Sequence, residues 1–216
     1  MANEGKTRPY FSVIITAYNR ESLITRALDS LIQQTEKDWE AIIIDDGSTD
    51  STYGTLFPYL KMFPQIKYFR QRHSGGASSR NRGIMEAEGV YITFLDSDDE
   101  YSPNHLSVRK LKLLQNPGVR FLYGGAKILG NQYVPDRKNM NRRINLKRCA
   151  IGGTFVIERN LAREMNGFIT GKFGADADFL NRIREAKIKR RKVAEATYIY
   201  HHENEDSVTN RILAGL

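Results

Sequence analysis

Val90-Tyr91-Ile92-Thr93-Phe94-Leu95-Asp96-Ser97-Asp98-Asp99 sets three carboxylates directly behind an apolar run. The run has the β-branched and aromatic content of a buried strand. Three acids at its carboxyl end repel one another unless positive charge sits among them. A divalent cation carrying a phosphorylated ligand is the natural neutraliser, because hard cations take carboxylate and phosphate oxygens together. The bland alternative is a solvated acidic turn, with Ser97 as turn former and Asp99 as helix cap.

A second acidic turn closes an earlier strand. Trp39-Glu40-Ala41-Ile42-Ile43-Ile44 runs into Asp45-Asp46-Gly47-Ser48-Thr49-Asp50. If the two strands are parallel, both acidic loops lie at one sheet edge, where open α/β sheets bind ligands. Gly47 and Ser48 suit a turn that caps the next helix. Asp45, at the end of an isoleucine run, still needs a donor, and the N3–H of a pyrimidine base is one.

The first half alternates strands with helices. Phe11-Ser12-Val13-Ile14-Ile15 is a short apolar run leading into Thr16-Ala17-Tyr18-Asn19-Arg20. Leu23, Ile24, Ala27, Leu28, Leu31 and Ile32 follow at helical spacing. A further apolar pattern spans 53–62, a short strand is expected over 66–69, and Gly75–Gly83 leads into the strand at 90–95. The alternation predicts an α/β fold with a mostly parallel sheet covered on both faces.

These pieces resemble, in order and with ordinary spacing, the donor-binding half of a family 2 glycosyltransferase of the GT-A fold. The matching stretches are Thr16-Ala17-Tyr18-Asn19-Arg20, Asp45-Asp46-Gly47-Ser48-Thr49-Asp50, Ser79-Arg80-Asn81-Arg82-Gly83 and Asp96-Ser97-Asp98-Asp99. The likeness continues more faintly through Gly174-Ala175-Asp176-Ala177-Asp178-Phe179 to the late histidines. It implies one glycosyltransferase domain over 1–216, with about 1–100 for a nucleotide-sugar donor and about 101–216 for the acceptor and catalytic base.

The resemblance also implies roles. Asp98 would bind Mn2+ or Mg2+ with the donor diphosphate, and Asp96 the ribose or the metal's outer shell. Asp45 and the Thr16-Ala17-Tyr18 backbone would hold the base, and Arg80 the base or the phosphates. Asp176 matches the second acid of the family's Glu-Asp pair and would be the general base of an inverting transfer. Ala175 stands where the first acid is usual, which puts acceptor geometry in question. Capping of the following helix is the structural alternative for Asp176, and Asp178 the second candidate base. Of His201 and His202, strand alternation turns one toward the site; motif register favours His202 as the contact to metal or diphosphate. UDP is the expected nucleotide.

The second half is less explicit. Ile151-Gly152-Gly153-Thr154-Phe155-Val156-Ile157 reads as a strand with a glycine entry, and the polar stretch from Gly130 to Arg148 as acceptor-recognising or simply a surface loop. The 216 residues are 40% hydrophobic, enough for one sizeable core. The single Cys149 cannot form an intrachain disulfide. A signal-peptide core and a membrane-length apolar run are both missing from the sequence, so a cytoplasmic protein is expected, with peripheral contact at the inner membrane face as an option. The net charge of +8 gathers in Arg137, Lys138, Arg142, Arg143, Lys147 and Arg148, and again over 187–192. No nucleic-acid module accompanies it, so nucleic acid is not an expected partner. Attraction to an anionic membrane or a lipid-phosphate acceptor is the functional alternative to a solvated basic surface. A dehydrogenase is disfavoured by the lack of Gly-x-Gly-x-x-Gly after a strand. A nucleotidyltransferase and a non-catalytic nucleotide-sugar-binding module remain the competing readings.

Overall fold

The computed structural model describes residues 8–136, 139–171 and 174–203. Arg137, Lys138 and the chain beyond Glu203 lie outside them. The chain runs β1 (Phe11–Ala17), α1 (Ile24–Ile32), β2 (Trp39–Asp45), α2 (Thr52–Met62), β3 (Ile66–Arg70), α3 (Gly76–Glu86) and β4 (Tyr91–Phe94). It continues through β5 (Glu100–Tyr101), α4 (His105–Leu114), β6 (Phe121–Tyr123), β7 (Ala126–Gly130), β8 (Tyr133–Asp136) and β9 (Asn139–Asn145). The last described elements are β10 (Val156–Glu158), α5 (Arg159–Glu164), α6 (Ala175–Glu185), β11 (Arg190–Lys192) and β12 (Tyr198–His202).

Seven strands form the central sheet in the order β11-β6-β10-β4-β1-β2-β3. All run parallel except β10, which is antiparallel to both β4 and β6. Burial on both faces explains the nearly unbroken apolar runs of β1 and β2. Period-two alternation sends Phe11, Val13 and Ile15 to one face with Ala27, Leu28 and Leu31 of α1. Ile14, Ile42, Ile44, Ile92 and Phe94 face the other side, under α3, α5 and α6. The expected α/β architecture is therefore observed, with helices on both faces.

Two expectations for the second half change. The stretch over 151–157 is a 3-10 turn, Gly152–Thr154, followed by the short β10, rather than one strand with a glycine entry. The two glycines serve close approach: a Cβ on Gly153 would fall 2.2 Å from the Tyr198 ring, and one on Gly152 2.6 Å from Asp176. The polar stretch over 130–148 is not an unstructured loop, since β8 and β9 pair as an antiparallel ribbon across it.

The sheet's two edges are built differently. At the amino edge Glu40, 4% exposed, accepts from Ser12 Oγ at 2.6 Å and from the Glu88 amide at 2.8 Å, and pairs with Lys67 at 2.8 Å. At the carboxyl edge β1 and β2 end together, with Ala17 in register with Asp45, and β4 ends beside Ile14, short of them. Both acidic turns meet there.

Gly83 shows how tightly α3 seats on β1. A Cβ there would lie 2.5 Å from Ile14 Cγ2, deep in the core. Gly83→Ala should therefore lose about 1–3 kcal/mol to overpacking, against a gain of about 1 kcal/mol in helix propensity. Urea unfolding should show net destabilisation, and Gly83→Ala with Ile14→Ala should cost less than the two single changes added. Strict additivity would mean that the two residues do not touch.

Candidate active site

The turns after β1 and β2 are pinned to each other. Asn19, in the left-handed region at φ 52°, accepts from the Thr49 amide at 2.8 Å, and its own amide donates to Ser48 Oγ at 3.0 Å. Asp50 accepts from the Glu21 amide at 3.1 Å, and Glu21 from the Ser51 amide at 2.8 Å. These reciprocal bonds satisfy backbone donors at two helix entries and fix Thr16, Ala17 and Tyr18 at the sheet edge.

A cleft of about 1770 Å³ opens over that edge. Thr16, Ala17, Tyr18, Arg80, Asp96, Asp98 and Asp176 all line it. Asp45 and His202 are not brought to its wall. Asp45, 1% exposed, accepts from the Ser48 amide at 2.7 Å and from Tyr68 Oη at 2.6 Å. Asp46 faces the cleft instead and anchors the loop before α3, accepting from the Ser74 and Gly75 amides at 3.0 and 2.8 Å. The sequence pair Asp45-Asp46 does not reveal which acid faces the ligand side.

The histidines separate as alternation requires. His201 lines the cleft, with Arg26 donating to its Nδ1 at 3.0 Å and Glu100 at 3.0 Å from Nε2. Arginine only donates, so the bond assigns the proton of the neutral ring to Nε2. His202 is 2% exposed, with Nδ1 2.6 Å from the Asn131 carbonyl, and its buried Nε2 has no partner among the described residues.

The three carboxylates behind β4 have distinct surroundings. Asp96 accepts from Arg80 at 2.7 Å. Asp99, 1% exposed, accepts from Tyr198 Oη at 2.5 Å and from the His201 amide at 2.7 Å, which ties β12 to the turn. It is neither a helix cap nor a solvated turn residue. Asp98 is half-buried, and among the described residues only its own amide hydrogen-bonds to it. Burial first, and then the Asp96 charge, push its pKa up; Arg20 and Arg26 offset part of this. Asp99 is driven well above the usual carboxylate range by burial and then by Asp96 and Asp98. Among the described residues no group of three or more metal-ligating side chains is assembled. Asp98, a hard oxygen donor in a negative and partly buried environment, nevertheless has the chemistry a divalent cation needs.

Opposite stands Asp176, in the first turn of α6. It does not cap that helix, since Gly174 is the cap residue, at φ 82°. Its Oδ1 accepts from Arg80 at 2.6 Å and its Oδ2 from the Gly152 amide at 2.8 Å. Asp178 turns to Arg182, 2.8 Å from its Nε, and does not line the cleft. Arg80 thus bridges Asp96 and Asp176. Burial works against its charge, but Asp96 and then Asp176 outweigh burial and raise its pKa. Tyr198, to which the sequence analysis assigns no role, lies 3.4 Å from Asp96 as well as bonding Asp99.

The cleft and its clustered acids lie at the carboxyl edge of a mostly parallel sheet, where open α/β sheets bind ligands. A profile of the family described as Glycosyl transferase family 2 matches residues 12–180, and the chain belongs to that family. It is 32% identical over 156 residues to the UDP-Glc:alpha-D-GlcNAc-diphosphoundecaprenol beta-1,3-glucosyltransferase WfgD of Escherichia coli, covering 69% of this chain and 60% of WfgD. Its fold matches Staphylococcus aureus TarS 1-349 in complex with UDP-GlcNAc, with a TM-score of 0.73 at 21% identity, covering 90% of this chain and 59% of TarS 1-349. It also matches the mannosyltransferase PcManGT of Pyrobaculum calidifontis in complex with GDP-Man and Mn2+, with a TM-score of 0.71 at 20% identity, covering 90% and 57%. The chain thus spans less than two thirds of each of these proteins.

The raised pKa of Asp98 has a signed consequence. The folded chain keeps this carboxyl protonated at a pH where the unfolded chain has already ionised it. Stability therefore falls as pH rises from the unfolded value, about 3.9, through the raised folded one. In metal-free buffer Asp98→Asn should be more stable than wild type at pH 7, and the difference should vanish at or below about pH 4. Thermal melts across that range check it; a variant no more stable than wild type at pH 7 would show that Asp98 carries no such penalty.

Proposed function

We propose that this chain is a metal-dependent, inverting glycosyltransferase that moves a sugar from a nucleoside-diphosphate donor, UDP-linked, to a hydroxyl of a saccharide or lipid-linked acceptor. The observation that carries the reading is the pairing across one cleft of a half-buried, only partly compensated Asp98 with an oriented Asp176, joined through Arg80 and Asp96. The nucleobase would rest against Thr16, Ala17 and Tyr18. Asp45 keeps a second lone pair on each oxygen beyond its bonds from Ser48 and Tyr68, and Asp46 is the neighbouring carboxylate on the wall. Asp98 would hold Mn2+ or Mg2+; His202, buried off the cleft wall against the Asn131 carbonyl, is not placed to join it, and His201 is the histidine on that wall. When bound, that cation supplies charge stabilisation for the departing diphosphate.

Asp176 would take the acceptor proton. Its bonds from Arg80 and Gly152 fix the carboxylate while leaving each oxygen a lone pair. A base held this way need not reorganise as the acceptor oxygen attacks the anomeric carbon from the face opposite the leaving group. Residues up to about 100 would serve the donor and the remainder the acceptor, as one domain. WfgD's name specifies a lipid-linked acceptor, which supports an acceptor of that kind and work at the cytoplasmic face of a membrane. Among the described residues no helix is long and apolar enough to cross one. TarS and PcManGT are complexed with different nucleotides, so the preference for UDP rests on the relative and not on the fold.

Two variants test the assignment. Asp98→Ala should abolish Mn2+-dependent UDP binding in calorimetry while sparing uridine. Asp176→Asn should bind UDP normally yet transfer about 10²–10⁴-fold more slowly, the usual worth of a positioned base. A transfer rate within a few-fold of wild type would remove Asp176 from that role. Labelled donor incubated with the protein and Mn2+ should release nucleoside diphosphate; release of pyrophosphate from a nucleoside triphosphate and sugar phosphate would support a nucleotidyltransferase instead.

A further inference from the structure

The cleft has two electrical ends. Toward β1, β2 and β4 lie Asp46, Asp96 and Asp98, and Arg80 is neutralised there by Asp96 and Asp176. The same cleft is also lined by Lys192 at the end of β11, by Arg184 of α6 and by Lys147 and Arg148, all exposed. Among the described residues none of these four forms an ion pair, and Arg184 reaches only Asn181 Oδ1, at 3.4 Å. Asp136 also lines the cleft, so the balance on that side remains positive.

Topology separates this group from the metal end. β11 is parallel to β6, with Lys192 in register with Tyr123, so Lys192 emerges at the same carboxyl edge as the aspartates. In the order β11-β6-β10-β4 it stands three strand spacings from β4, roughly 14 Å away. The base side, β1 and β2, lies beyond β4 in the opposite direction. Arg184 sits two turns along α6 from Asp176, about 12 Å by helix rise. There α6 packs through Phe179 on Phe121 of β6 and on Phe155. Lys147 and Arg148 come from the 3-10 turn that leads from β9 toward Gly152.

The geometry points to a phosphate-binding subsite formed by Lys147, Arg148, Arg184 and Lys192 on the acceptor side, distinct from the donor diphosphate and selecting an acceptor that carries phosphate. This deepens the proposed transferase reading and rests on it. Cations lining one cleft can bind a phosphate ester through charge-assisted hydrogen bonds, an advantage that a neutral saccharide would not share. The phosphate could belong to a lipid headgroup or to a soluble or polymeric ester.

Calorimetry on the full chain separates the outcomes. UDP with Mg2+ is titrated first; failure of wild type to bind it overturns the donor reading and the subsite built on it. With UDP saturating, farnesyl phosphate and glycerol 1-phosphate are titrated separately into wild type, the double variant Arg184→Gln/Lys192→Gln, and Arg184→Lys. Both phosphates should bind wild type and Arg184→Lys, and at least 10-fold more weakly the double variant, whose UDP affinity should be unchanged. Tighter binding of farnesyl phosphate supports the subsite with a lipid source, and equal binding supports it with a soluble or polymeric source. Equal affinities in wild type and double variant would overturn the proposal. So would loss of phosphate binding to wild type once UDP saturates, since the cations would then belong to the donor's own diphosphate.

Discussion

The Arg80 guanidinium is the contact on which the rest of the site depends. It lies between Asp96, from the turn after β4, and Asp176, from the start of α6, at 2.7 and 2.6 Å. The rings of Phe94 and Phe168, with centroids 5.3 Å apart, lie together on one side of it, 5.7 and 5.5 Å away. A planar fork can engage two carboxylates while it rests against aromatic rings, which an ammonium group cannot reproduce. The adjacent positions on α3 extend the clamp. Ser79 Oγ accepts from Gln71, which also donates to Asp46, and Asn81 exchanges bonds with the Phe168 carbonyl and amide at 2.8 and 2.7 Å. Gly83, two residues on, lets the helix lie against Ile14. One short segment thus joins the base side of the cleft, its acidic centre and the segment before α6.

The clamp also sorts the acids by task. Asp46 and Asp99 are consumed by loop amides, Gln71 and Tyr198, and they work as scaffold. Asp96 and Asp176 share one cation, which offsets only one of their two charges, and Asp96 still pushes up the pKa of Asp98. Asp98 is left with Arg20 and Arg26 only as distant offsets. Burying a carboxylate with so little compensation opposes folding, and such a cost survives where function uses it. The position that destabilises the apo-protein is the one whose charge a cation would relieve.

The sequence made the parallel half legible because its strands are buried on both faces and read as apolar runs, as β1 and β2 do. The acidic turns were legible for a related reason: carboxylates behind such runs must emerge at one sheet edge. What escaped reading depends on facing and on distant partners. Asp45 and Asp46 are adjacent, yet one is closed by Tyr68 on β3 and the other opens to the cleft. His201 and His202 divide in the same way, and register against β7, not composition, decides which lines the wall. Gly152 and Gly153 resembled a strand entry because their reason for being glycine, Asp176 and the Tyr198 ring, comes from segments 24 or more residues away in the chain. Tyr198 carried no local sign of a site role, since its partner Asp99 is 99 residues distant.

The antiparallel β10 completes the logic of the edge. In a wholly parallel sheet the strand beside β4 would present its carboxyl end and another acidic or capping turn to the cleft. Reversal presents an amino end instead, with the Gly152–Thr154 turn just before it. That turn offers a backbone N–H, and Gly152 donates it to Asp176 at 2.8 Å. A donor is what a carboxylate needs if it is to keep its orientation beside other acids. The opposite edge has no such demand: there Glu40 is enclosed by Ser12, Lys67 and the Glu88 amide and holds strands together. Strand reversal at one position therefore separates a sheet edge that is merely stable from one that can hold the oriented Asp176 carboxylate across the cleft from the half-buried Asp98.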